Sequence, residues 1–169
     1  DYVLSTTIFY KDMYDYIAST IYDADPTEYA IFENQDYANS RGFEISLQRL
    51  FSRNFSWTIN YTFTRAEGNA ENEFAHWNEA YLASVYGTFP ARKTVIMPWD
   101  QPHTLNLNFS YDNPLGFGMN MVGNMGSGLP YTPTDSRGRQ LDEKNSGRMP
   151  ATSIFDLKMY YDFKYAGLN

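Results

Sequence analysis

Apolar and polar residues alternate one by one along most of this chain, and a period of two is the signature of a half-buried β-strand. The cleanest run covers residues 54–66, where Phe55, Trp57, Ile59, Tyr61 and Phe63 alternate with Ser56, Thr58, Asn60, Thr62 and Thr64. Residues 102–112 repeat it with Leu105, Leu107, Phe109 and Tyr111 against Thr104, Asn106, Asn108 and Ser110. In residues 42–51, Phe43, Ile45, Leu47 and Phe51 oppose Glu44, Ser46 and Gln48, with Arg49 the exception on the apolar side. Residues 153–165 set Phe155, Leu157, Met159, Tyr161 and Phe163 opposite Asp156, Lys158, Tyr160 and Asp162. Two weaker runs, 2–14 and 117–126, carry Leu4, Ile8 and Tyr10, and Phe117, Met119, Met121 and Met125.

Strand length separates a soluble sheet from one that crosses a bilayer. These runs last about 10 to 13 residues, against about 5 or 6 for soluble strands and about 9 to 11 for tilted membrane strands. Their polar face is mostly Ser, Thr and Asn, which suits a hydrated or plugged lumen. The expected fold is all-β: an antiparallel up-and-down transmembrane β-barrel segment of about six strands, part of a larger barrel. Its apolar ladders should face lipid, and Asn60, Thr62, Asn106, Asn108, Asp156 and Lys158 should face the lumen. A soluble β-sandwich or a lipocalin-like barrel shows the same alternation and stays open on this evidence.

The connections add a direction. Ser52-Arg53-Asn54 and Asp112-Asn113-Pro114-Leu115-Gly116 are short turns, whereas 15–41, 67–101 and 127–152 are long segments of about 25 to 35 residues, expected as loops. Short periplasmic turns alternating with long extracellular loops are the habit of outer-membrane barrels. Phe51, Phe55, Tyr111, Phe117, Phe163 and Tyr165 then gather at the short-turn end as an aromatic girdle. At about 3.3 Å per residue and about 40° of tilt, Arg65 lies roughly 25 Å from Phe55, at the far headgroups. Arg49 can snorkel to the near interface, and His103 lies by the outer rim.

Composition removes other classes. Aromatic residues make up 18% of the chain, too many for a disordered segment. A net charge of −7 leaves no basic stripe for phosphates, so nucleic acid is set aside. The absence of cysteine excludes disulfides and thiolate metal sites. No run approaches the roughly 18 to 20 apolar residues of a membrane-spanning helix, so any crossing is made by strands. The 169 residues begin at Asp1 and stop at Asn169 just after a strand-like run, and so read as an excerpt. About six strands fall short of the roughly eight of the smallest single-chain barrels. Residues 1–169 are therefore expected to form one partial barrel domain, with plug and remaining strands elsewhere.

Particular segments resemble TonB-dependent outer-membrane receptors. Ala38-Asn39-Ser40-Arg41-Gly42-Phe43-Glu44 is similar to the start of a barrel strand in that family, and Tyr61-Thr62-Phe63-Thr64 to the strand that follows. Three later segments resemble the late barrel: Asp100-Gln101-Pro102-His103, Ser127-Gly128-Leu129-Pro130-Tyr131-Thr132-Pro133, and Arg148-Met149-Pro150 leading to Asp156-Leu157. Their order along the chain most resembles the large Oar-like receptors with a carboxypeptidase-regulatory-like front domain. The resemblance implies a barrel of about 22 strands with a plugged lumen in the outer membrane of a Gram-negative-type bacterium. It also implies contact with TonB and its inner-membrane energising complex, outer-membrane lipid around the barrel, and a surface lipoprotein as an optional partner.

Catalysis finds no foothold, because His76 and His103 lack motif partners and no G-x-S-x-G, P-loop or H-E-x-x-H occurs. Neither an enzyme nor a cofactor is expected. Asp23, Asp25 and Glu28 lack the spacing of an EF-hand, and a solvated loop is the better reading. Extracellular-loop ligand contacts are assigned to Trp77, Tyr81, Tyr131, Arg137 and Arg139. The aromatics Phe74, His76, Trp77, Tyr81 and Tyr86, with a short helix over 78–86 begun by Asn78 and Glu79, either cap a substrate or pack their own loop, and packing is favoured. Arg137, Arg139 and Arg148 could attract an anionic siderophore or sugar, yet Asp135, Asp142 and Glu143 stand near enough to neutralise them locally. Lys158 is expected to pair with a strand carboxylate such as Asp156 or Asp162. The preferred function is active import of a scarce nutrient; a passive porin or structural barrel, and a soluble carbohydrate-binding domain, are the alternatives.

Overall fold

The computed structural model describes all residues except Asp23, Asp25, Pro26, Arg53, Glu71, 87–92 and 164–169, together with the side chains of Phe51 and Ser52. The acidic cluster at Asp23 and Asp25, the turn residue Arg53 and the girdle positions Phe51 and Tyr165 therefore lie outside the described residues. Strand β1 (Tyr2–Tyr22) turns back into β2 (Tyr29–Ser52), and β2 pairs with β3 (Phe55–Gly68). Helix α1 (Ala75–Tyr86) and the short β4 (Val95–Ile96) follow, β4 joining the far end of β3. Strand β5 (His103–Asp112) then pairs with β3, and β6 (Phe117–Gly126) pairs with β5. A small hairpin of β7 (Pro130–Tyr131) and β8 (Gly147–Arg148) precedes β9 (Thr152–Tyr161), which pairs with β6. The main path is β1-β2-β3-β5-β6-β9, antiparallel throughout, so the up-and-down order read from the sequence holds, with β1 and β9 outermost.

Register turns the alternation of single strands into rows that cross the sheet. One row runs Leu4, Leu47, Ile59, Leu107, Gly123 and Phe155. The row beside it, on the opposite face, runs Ser5, Ser46, Asn60, Asn106, Asn124 and Ile154. A slip of one residue at any ladder would mix the two faces, so the pattern specifies the pairing. Asn120 adds a polar-face link by donating to Asn108 at 3.2 Å and to Ser110 at 2.8 Å. Arg49, out of place on the apolar face, lies 3.7 Å from the ring centroid of Phe55 and 5.7 Å from that of Tyr2, where aromatic faces accommodate a cation. Left-handed backbone closes the short turns, at Asn54 with φ 74° and Gly116 with φ 93°, and both residue types tolerate it.

The first long segment departs from expectation. The sequence pattern predicts a loop over 15–41, but β1 and β2 run through it and only 23–28 lie between the strands. Register shifts between Met13 and Tyr16 and between Tyr16 and Ile17, with Asp15 at φ 62°, reset the period of two and hide it in sequence. At about 3.3 Å per residue, the 21 residues of β1 reach roughly 70 Å, so about half the hairpin projects beyond an apolar band of roughly 25 Å. Smaller differences follow the same logic: β9 ends at Tyr161, and α1 starts at Ala75 rather than Asn78. Asn72 caps that helix, its Oδ1 accepting from the Phe74 amide at 3.0 Å and its carbonyl from Ala75 at 3.1 Å.

At the long-loop end, the segments around Asp100, Ser127 and Arg148 converge. Asp100, 1% exposed, accepts from the Ala66 amide at 2.6 Å, and its second carboxylate oxygen pairs with the Arg148 guanidinium. Arg148 also donates to the Asp100 carbonyl at 2.6 Å. The Gln101 side chain donates to the Ser127 carbonyl at 2.9 Å, and Ser127 exchanges bonds with His103 at 2.8 and 3.1 Å. Gly128 presses against the Met149 backbone so closely that any side chain would collide with it. The expectation that Arg148 is neutralised by its own loop is thus overturned: its partner is Asp100, because the β8 turn carries it across to the β4–β5 connection.

Two outcomes test this architecture. Ile59→Arg or Leu107→Arg in the full-length protein should cost roughly 2 to 4 kcal/mol in folding into lipid vesicles, whereas Asn60→Arg and Asn106→Arg should cost markedly less; equal costs on both faces would contradict the assignment of sides. Arg148→Ala leaves a buried carboxylate unpaired and should lower stability by about 3 kcal/mol in urea unfolding. The double change of Asp100→Asn with Arg148→Met should recover part of that loss.

Candidate functional site

Beyond the register shifts, the projecting hairpin of β1 and β2 forms one wall of a pocket. Asp36 pairs with Tyr16 and has the same parity along β2 as Ala38, Ser40 and Glu44, which places it over the polar face of the sheet. Ala38, Ala66 and Met97 form a small buried cluster on that face, with Met13 packed against it. The chain after β3 is tied to both strands. Asn69 donates its backbone amide to the Tyr37 carbonyl at 3.1 Å and accepts the Tyr37 amide at 2.9 Å, while the Glu73 carbonyl accepts from the Ser19 amide at 2.9 Å. These ties hold α1 against β1, and Phe74 meets Phe32 edge-on at 5.6 Å.

The result is a pocket of about 570 Å³ walled by Tyr16, Phe32, Phe74, Met97 and Trp99, with Asp36 and Glu73 as its acids. Asp36 is 4% exposed. Its Oδ1 accepts from Asn69 at 2.9 Å and lies 2.8 Å from His76 Nε2, while Oδ2 is covered and has no hydrogen-bond partner. A second cleft, about 680 Å³, lies between Arg65, Glu79, Lys93 and Lys144. Its charges are largely spent on one another: Lys144 with Glu79 at 3.4 Å, Lys93 with Glu143 at 3.9 Å, and Arg65 with Glu67 at 2.6 Å. Glu67 also meets Arg41 at 3.2 Å. At the hairpin tip Tyr22 donates to Glu33 at 2.9 Å, and this hydrogen bond, then desolvation, raises its phenol above the ordinary range.

The sequence-assigned ligand residues do not share this pocket. Trp77 and Tyr81 sit one turn apart on α1, 41% and 62% exposed; of the same segment, Phe74 meets Phe32 while still 48% exposed, and His76 bonds Asp36. Tyr131 lies against Gly147 in the small hairpin. Arg139 pairs with Asp135 at 3.2 Å, as local neutralisation requires, and the Arg137 amide is held by the same carboxylate at 2.9 Å. Lys158 stands opposite Asn120, and among the described residues it has no carboxylate partner. The pocket acids Asp36 and Glu73 escaped sequence reading because no local motif marks them; Asp36 lies where the alternation breaks.

Among the described residues no cluster of side chains could hold a metal ion. Among the described residues no helix is long and apolar enough to cross a membrane, which says nothing of strands.

The family model described as TonB dependent receptor-like, beta-barrel matches residues 1–169. The search of the curated proteins gave no match. Among solved structures, the outer membrane transporter YddB from Escherichia coli is similar with a TM-score of 0.67 at 12% identity, over 95% of this chain and 24% of that one. At that identity the likeness speaks for the fold, and the chain spans about a quarter of the transporter's length. With the family match over residues 1–169 on a meander of alternating strands, the chain belongs to the β-barrel of TonB-dependent receptors of the bacterial outer membrane.

Proposed function

We propose that residues 1–169 are one sector of the barrel of a receptor that imports a scarce nutrient, of the siderophore, vitamin, glycan or peptide class, with energy delivered through TonB. What carries the reading is the family match over the whole chain on a sheet with one apolar and one Ser, Thr and Asn face. Unpaired strand edges cost several kcal/mol per backbone group in hydrocarbon, so β1 and β9 take neighbours from the rest of the barrel. The Asn and Thr rows, with Asp156 and Lys158, then face the lumen and the plug, and the apolar rows face outer-membrane lipid. Catalysis has no part in this role; a surface lipoprotein closing the extracellular mouth is an optional partner.

Cells given each nutrient class as the limiting source should accumulate one of them only while the receptor, TonB and the proton gradient are all intact. Uptake that survives a protonophore would instead make the barrel a passive pore. Trypsin added outside intact cells should cut after Arg137 or Arg139, which are exposed on the long connection between β7 and β8. Cleavage confined to Arg53 would reverse the orientation.

A further inference from the structure

On the apolar face of the sheet, toward the long connections, a groove of about 490 Å³ runs over β1, β2 and β3. Register sets its order. Ile8, Phe43 and Phe63 lie side by side across the three strands, and the next row outward is Tyr10, Arg41 and Arg65. All six line the groove, and among the described residues no acid does. Arg41 and Arg65 stand directly opposite each other, where like charges on a sheet repel. One carboxylate answers both: Glu67, 3.2 Å from Arg41 Nη2 and 2.6 Å from Arg65 Nε. It lies one row further out, and among the described residues Asp12 shares that row without pairing with either arginine. The two guanidiniums are half exposed, and each spends a single nitrogen on Glu67. We infer that this groove holds one lipid of the surrounding leaflet that carries a phosphomonoester. The phosphate spans Arg41 and Arg65, and an acyl chain lies along Ile8, Phe43 and Phe63.

Depth and sign agree on this occupant. At roughly 25 Å from Phe55 along the tilted strand, Arg65 reaches the far headgroups, where a lipid presents its phosphate while its chains lie against the apolar rows below. Guanidiniums bind phosphate through paired N–H donors, so two opposed arginines suit a doubly charged group. That group supplies the negative charge which a single Glu67 does not, and relieves the repulsion across the β2–β3 ladder. The acids Glu67 and Asp12 stand on the outward side, so a headgroup rising from the bilayer meets the arginines first. A zwitterionic headgroup would bring a cation to the same row and gain less. A free anion would leave the apolar half of the groove unfilled.

The site rests on the apolar face meeting outer-membrane lipid, as proposed above, and not on import. The full-length receptor in nonionic detergent is mixed with dioleoylphosphatidic acid or with dioleoylglycerol, which differ only in the phosphate, and retained lipid is counted by native mass spectrometry. Phosphatidic acid should be held about tenfold or more tightly than the diacylglycerol. Arg41→Gln or Arg65→Gln should weaken it about fivefold each, and Phe63→Ala should weaken both lipids, with barrel folding checked by heat-dependent gel mobility. Inorganic phosphate in excess should not displace the lipid. Should the arginine variants fail to fold, Glu67→Gln, which frees both guanidiniums, must tighten phosphatidic acid and leave dioleoylglycerol unchanged. Equal retention of the two lipids, a preference untouched by these substitutions, or full displacement by inorganic phosphate would overturn the site. A wrong assignment of faces would show separately, as tolerance of Ile59→Arg in vesicles. Uptake is not read by this titration, so its failure leaves import standing.

Discussion

A strand in hydrocarbon has no water to satisfy its amides and carbonyls, so each backbone group must find its partner on the next strand. Everything else in this molecule is arranged around that demand. The ladders of the main sheet keep one register from Leu4 to Phe155 and from Ser5 to Ile154, and the alternation of side chains keeps each face uniform while they do so. Departures from the pattern sit where the demand relaxes. Arg49 rests over Tyr2 and Phe55 at the short-turn end, and Arg41 and Arg65 share Glu67 at the other.

Where the ladders stop, side chains take over the same work. The Ala66 amide near the end of β3 is met by the Asp100 carboxylate, and the Asp100 carbonyl by Arg148. Three connections that are far apart in sequence are thereby fixed to one another at the rim. Of this ion pair Asp100 is the buried member, and its carboxylate left without Arg148 would be a liability.

Above the rim the constraint changes again, because water is available and the backbone no longer needs a closed sheet. The hairpin of β1 and β2 can stand beyond β3, bulge at Asp15, and lean on the segment between β3 and α1 through Ser19, Tyr37 and Phe32. Charged groups there are mostly paired locally, as in Arg139 with Asp135 and Lys144 with Glu79, and such exposed pairs add little stability. The Asp36 carboxylate is the contrast, buried and held by Asn69 and His76 through one of its oxygens.

The period of two and the turn chemistry at Asn54 and Gly116 were enough to determine the meander and the character of both its faces, because in a membrane-spanning sheet local alternation and global position are the same variable. The segments around Asp100, Ser127 and Arg148 were legible as motifs, but not their meeting, which depends on the closure of two long connections. The extent of the first hairpin was hidden for a definite reason: two register shifts break the alternation that would have announced it. Trp77 and Tyr81 look like ligand residues in sequence, yet the helix turns them outward, while Asp36 and Glu73, unremarkable in sequence, come together with Trp99. Burial of a single carboxylate is set by which loop folds over it, and only the tertiary structure decides that.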